Sequence, residues 1–367
     1  MRVEEVELRI VRLPYRTPFK TSFAEEREKH ALITTVRADG IEGYGEGVMD
    51  PLPHYREETL PGALHLLRAA LAPDLLAHGC DDPSTLTARW QRWRGNPMAK
   101  SALELAVWDC HARGLGVPLR TLLGGERTEI PVGASLGMTS VEQTVDNVAR
   151  HVEQGYKRVK LKIEPGWDVD MLAAVRAKFP EIELTVDANS AYTLDMIDVL
   201  RRIDEFGLHY IEQPLHWDDL TEHARLATML TTPLCLDESL TSPARVVAAL
   251  DLAACTVVNV KVGRVGGLQS VREIHDLCVG RGVPMWCGGM LETGVGRAHN
   301  IHIATMPGFV YPGDTASASR TYARDITEQA LEATDGIMPV PAGPGIGVTL
   351  DRAFLDEVTE AVEVIRT

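Results

Sequence analysis

The stretches RVKLKI (158–163), ELTVDAN (183–189), LHYIEQP (208–214), PLCLDES (233–239) and TVVNVKV (256–262) decide how this chain is read. They set Lys162, Asp187, Glu212, Asp237 and Lys261 at intervals of 25, 25, 25 and 24 residues. One such interval holds a strand and its crossover helix, so each residue takes the same end of a successive parallel strand. Working outward, IPVGASL, VPMWCG and FVYPGD complete eight strand-like runs, with amphipathic stretches such as VEQTVDNVARHVEQG and GLQSVREIHDLCVGRG between them. Eight strand–helix units predict a closed parallel barrel. Barrel sites collect side chains from strand carboxyl ends, where Asp187, Glu212 and Asp237 stand. One such carboxylate could merely cap a helix; three in phase between lysines ask for chemistry.

Residues 1–50 read differently, as an antiparallel start with an Asp39-Gly40 turn. From Glu57 to Gly114 the pattern is helical, and AKSALELAVWDCHARGLG sets Ala102, Leu105, Ala106 and Cys110 on one stripe. With 367 residues there is room for a barrel and a smaller domain. The net charge of −15 opposes nucleic acid and anionic membranes as partners. The opening MRVEEVELRIVRLPY has acids where a secretory signal has a basic end, and no apolar run reaches spanning length. A cytoplasmic location is expected. The six cysteines form no close metal-binding motif and are expected reduced. Cys235 shares strand parity with Asp237 and reads as a buried structural thiol.

Three carboxylates without an in-phase histidine or thiolate favour a hard cation, Mg2+ with Mn2+ as substitute. Lys160 shares the face of Lys162, where its charge would lower the proton affinity of Lys162 and stabilise negative charge on the substrate. Lys261 falls nearly opposite in an eight-strand order. A carbon acid between Lys162 and Lys261 can lose a proton to one amine and gain one from the other through an enediolate. The different-class alternative is a non-catalytic barrel that only binds.

KLKIEPGWDVD, VDAN, IEQP, LDES, NVK and WCGGMLETGVGRA together resemble the enolase superfamily, in its muconate-lactonising subgroup and most closely the N-succinylamino acid racemase/o-succinylbenzoate synthase family, over nearly the whole chain. The resemblance implies an α/β fold: a modified TIM barrel of enolase type, (β/α)7β, under an α+β capping domain. Expected boundaries are 1–125 for the capping domain, 126–325 for the barrel and 326–367 for a segment returning to the cap. It implies Asp187, Glu212 and Asp237 as Mg2+ ligands, Lys162 and Lys261 as opposed acid/base groups, and a homo-oligomer. MWCGGMLE has no histidine, which speaks against the mandelate-racemase pattern.

The implied substrate is a small carboxylate, either an N-acylated amino acid for racemisation or a cyclohexadiene carboxylate for the synthase reaction of menaquinone biosynthesis. Phe19, Phe23 and Tyr55 are candidate apolar contacts, and Ser135, Asn189, Glu292 and the backbone near Gly289 and Met290 are candidate polar ones. Arg264 reads in isolation as a surface ion pair, but in this family an arginine there accompanies N-succinylamino acid racemisation. It would tune or orient Lys261, as a supporting group beside Lys160. Dipeptide epimerisation is less favoured because YPGDTAS lacks the acidic Asp-x-Asp pattern, and muconate cycloisomerisation does not call for Arg264.

Overall fold

A computed structural model describes residues 1–21 and 24–366. The antiparallel start forms β1 (Val3–Lys20), β2 (Glu25–Ala38) and β3 (Ile41–Gly47). Val3, Val6, Leu8, Val11 and Leu13 are buried; among the polar residues between them Glu4 and Arg12 are exposed, whereas Glu7 is buried beside Arg9 and Arg37. The helix Pro97–Gly114 lies on β3 so closely that a Cβ on Gly43 would meet the backbone of Ala106 and Cys110. Its apolar stripe is only part of what it buries: Ser101, Glu104 and Asp109 are also buried. The helix is a wall between cap and barrel.

β4 (Glu129–Pro131) is followed by β5 (Ala134–Leu136), β6 (Arg158–Lys162), β7 (Glu183–Asp187), β8 (Ile211–Glu212), β9 (Leu234–Leu236), β10 (Val257–Val260) and β11 (Met285–Cys287). β5 to β11 form one parallel sheet in chain order. The eighth run, 309–314, is not a regular strand. It joins β11 at Met285 and the approach to β5 at Val132 through single bridges, because Pro312 has no N–H for a continuous ladder. β12 (Ile337–Pro339) pairs with β4, and β13 (Thr359–Arg366) returns to the cap and pairs with β1.

Two carboxylates of the cap seat it on the barrel. Glu46 on β3 accepts from Thr293 N (3.0 Å), Thr293 Oγ1 (2.6 Å) and Gly296 N (2.8 Å), at the start of helix Gly294–Ile303. Glu104 accepts from Leu268 N (2.6 Å) and Gln269 N (3.1 Å), at the start of helix Leu268–Arg281. Helix starts follow strand carboxyl ends, so these bonds fix the cap over the end where the sequence places the site. No helix among the described residues is long and apolar enough to cross a membrane.

Candidate active site and metal centre

The 25-residue interval has a direct structural meaning across three strands. Lys162 is the register partner of Asp187, and Asp187 of Glu212. The ladder then pairs Glu212 with Cys235, two residues before Asp237. Cys235 in turn pairs with Val257, four before Lys261. Strands of a barrel tilt and stagger, so groups at one height along the axis climb steadily in register. Cys235 lies a layer deeper, accepts from Trp286 Nε1 at 3.4 Å, and has its pKa pushed well up by burial; it is a structural thiol.

Asp187, Glu212 and Asp237 are 1%, 0% and 0% exposed, and one carboxylate oxygen from each lies within 4.8 Å of the others. Such crowding in a dry interior needs compensating charge. Lys162 Nζ donates to Asp187 Oδ2 at 2.6 Å and to Asn189 Oδ1 at 2.7 Å. Lys160 Nζ lies 3.0 Å from Glu212 Oε2, 3.3 Å from Asp187 Oδ2 and 2.7 Å from Asp314 Oδ2. Lys261 Nζ donates to Asp237 Oδ2 at 2.8 Å. Burial first and the Asp187 charge second push Glu212 well above the carboxylate range. Burial also opposes ionisation of Asp237, but Lys261 and Arg264 overcome it and hold its pKa below normal. The oxygen-only donor set, its spacing and the strain of like charge on Glu212 fit a divalent cation.

Arg264 is fully buried, not a surface ion pair. Its Nη1 reaches Asp237 Oδ1 and its Nε donates to Leu240 O at 2.7 Å. Tyr55 departs from its expected apolar role as well. Its hydroxyl donates to Asp237 Oδ1 at 2.8 Å and accepts from Lys261 Nζ at 3.3 Å, with the ammonium 4.6 Å from the ring centre. It thereby ties the cap to the barrel ring.

Phe19, Ser135, Asn189, Gly289, Met290 and Glu292 all line one cavity with Lys160, Lys162 and Lys261. The Met290 backbone is already engaged: its carbonyl accepts from Lys29 at 3.0 Å and its N–H donates to Glu292 at 2.9 Å. Phe23 lies outside the described residues. Lys29, Arg297 and Arg320 of the cavity wall escaped the sequence reading, and so did three groups that touch the charged ring or its partner Asn189. Asp314 holds Lys160 and Arg158 (2.7 Å each), Asn259 donates to Glu212 Oε1 (2.7 Å), and Glu238 accepts from Asn189 (2.8 Å). Asp314 sits in the quoted YPGD, and Asn259 shares parity with Lys261, so a strict parity rule would have flagged the latter. Asn189 (φ 42°), Ser190 (φ 65°) and Gln213 (φ 39°) are left-handed just past the ligand-bearing strand ends. Gln213 uses that bend to accept from Asp237 N at 3.0 Å.

Residues 4–124 match the family model for the mandelate racemase/muconate lactonizing enzyme N-terminal domain, and residues 143–354 match the enolase C-terminal domain-like model. An N-succinylamino acid racemase of Thermus thermophilus is 52% identical over 98% of both chains. An o-succinylbenzoate synthase of Geobacillus kaustophilus is 48% identical over 98% of this chain and 96% of its own. A crystal structure of an enolase-superfamily member from Listeria innocua superposes with a TM-score of 0.97 at 40% identity, covering 100% of this chain and 99% of that one. The matched models span both domains and the ring of carboxylates and lysines sits at the barrel mouth, so the chain belongs to the enolase superfamily, in its muconate-lactonising branch, beside the N-succinylamino acid racemases and o-succinylbenzoate synthases.

Proposed function

We propose that the protein racemises N-acylamino acids, N-succinylated ones above all, by proton transfer between Lys162 and Lys261. The observation that carries this reading is the placement of two buried ammonium groups on strands four places apart in the sheet, each bonded to a different carboxylate of the triad. Asp187, Glu212 and Asp237 would hold Mg2+, which when bound supplies positive charge to the substrate carboxylate and so acidifies the adjacent carbon. Lys162 takes the α-proton from one face and Lys261 delivers one to the other; the reverse sequence serves the opposite enantiomer. Lys160, held by Asp314 and Glu212, keeps a fixed positive charge beside the enediolate. Asn189 orients Lys162, and Tyr55 orients Lys261.

In heavy water each of Lys162→Ala and Lys261→Ala is expected to abolish net racemisation while leaving α-proton exchange on a single enantiomer. Full racemisation by both variants would rule out the two-base scheme. o-Succinylbenzoate synthesis is the second reading, favoured by the Geobacillus kaustophilus relative. It can run with Lys162 as base and then acid. Arg264 shares Asp237 with Lys261, so Arg264→Gln is expected to slow racemisation more than dehydration. Side-by-side turnover of both substrates reads this out, and equal losses with normal metal affinity would make Arg264 a support common to both.

A further inference from the structure

Beyond the ring of lysines the cavity wall carries Lys29, which donates to Met290 O, and two arginines. Arg297 is buried and gives its donors to the carbonyls of Ala316 and Glu292, while its Nε has no partner among the described residues. Arg320 is half-buried, with its guanidinium 5.6 Å from the centre of the Tyr156 ring. Among the described residues neither arginine forms an ion pair; the nearby Asp314 is already shared by Arg158 and Lys160. A buried cation without a counter-ion is costly, and a ligand carboxylate would offset that cost.

An outer groove begins where Arg320 stands and shares Phe19, Leu291, Arg320 and Thr321 with the cavity. Its described lining includes Arg16, Arg150 and Arg320 and no carboxylate, on a chain of net charge −15. His151 in the same lining has its pKa pushed down to about 4, by burial first and by Arg320 next. Such a local reversal of sign concentrates anions at the cavity mouth.

We infer that Arg320, with Arg297 behind it, receives a second carboxylate of the substrate, remote from the reacting carbon, and that the groove draws such dianions inward. This rests on the N-acylamino acid reading. The second carboxylate has two sources, the acyl group or the amino-acid side chain, and they are separable by experiment.

The test uses the full chain loaded with Mg2+. Equilibrium binding and α-proton exchange are measured for N-succinylphenylalanine, N-acetylglutamate and the monoanion N-acetylphenylalanine. The wild type is expected to prefer a dianion, and Arg320→Gln to cut that preference about 10- to 100-fold, the loss of a charged hydrogen bond. Arg320→Lys should restore part of it. The dianion whose affinity falls identifies the source. Rising ionic strength should lower kcat/KM more for that dianion than for the monoanion. No dianion preference in the wild type, or one that survives in a folded Arg320→Gln, would overturn the inference. Should that variant not fold, equal salt dependence for dianion and monoanion would overturn it instead. Failure of the racemase reading looks different: no exchange with any of the three compounds, yet a binding preference that Arg320→Gln removes.

Discussion

Two sets of buried carboxylates meet at the mouth of this barrel, and they are satisfied in opposite ways. Glu46 and Glu104, on the cap, accept mainly from backbone amides at helix starts. Asp187, Glu212 and Asp237, on the barrel, are balanced by the side-chain cations of Lys160, Lys162, Lys261 and Arg264. Amides fixed in a helix cannot leave, so the first set acts as permanent seating. Ammonium groups on flexible stems can give place to a cation and turn to a substrate, so the second set is available for chemistry. Burial alone does not distinguish them; the partner does.

The largest effect should come from breaking the second set. Glu212→Gln keeps the shape but removes the charge that Lys160 and Asn259 address. Cation affinity should fall sharply and turnover by roughly three orders of magnitude, as when one member of a concerted unit is removed. Calorimetric metal titration with circular dichroism checks this. Unchanged affinity and activity would take Glu212 out of the ligand set.

A smaller effect should follow from the first set. Glu104→Gln turns an amide NH2 toward a backbone N–H, leaving a buried donor against a donor. Urea unfolding should show a loss of about 1–3 kcal/mol, with metal affinity near that of the wild type. A loss of metal affinity as large as that of Glu212→Gln would erase the distinction between seating and site.

The sequence discloses these two sets unequally, for physical reasons. Asp187 and Glu212 are legible because parallel register repeats with the strand–helix period, and Lys162, Asp187 and Glu212 are true register neighbours. Asp237 and Lys261 keep the period while climbing the stagger of the barrel, so the count locates them without revealing the layer in which Cys235 lies. Tyr55 was legible as a site residue but not for its hydroxyl, because its partners Asp237 and Lys261 lie about two hundred positions away. Glu46 and Glu104 gave no signal at all. A glutamate in GYGEG or in ALELAV looks like the solvent face of a strand or helix, and only the docking of another domain makes it a buried cap.

The subtlest contrast concerns pH, because a carboxylate at a helix start faces opposed influences. Helix amides favour its charge, whereas burial disfavours it. For Glu104 burial prevails over the bonds from Gln269 and Leu268, and the pKa is pushed up to about 7. The sign follows from linkage: between the ordinary carboxylate value near 4.5 and 7, the native state keeps a proton that the unfolded chain releases. Stability contributed by this group is therefore present at acid pH and lost as pH rises through that window, by up to about 3 kcal/mol at roughly 1.4 kcal/mol per unit. Glutamine has no proton to release. The cost of Glu104→Gln should accordingly be greatest near pH 5 and shrink toward pH 8, measured by urea unfolding of both proteins at each pH. A cost that stays flat from pH 5 to pH 8 would mean that the helix amides outweigh burial, and that the seating carboxylate is charged throughout.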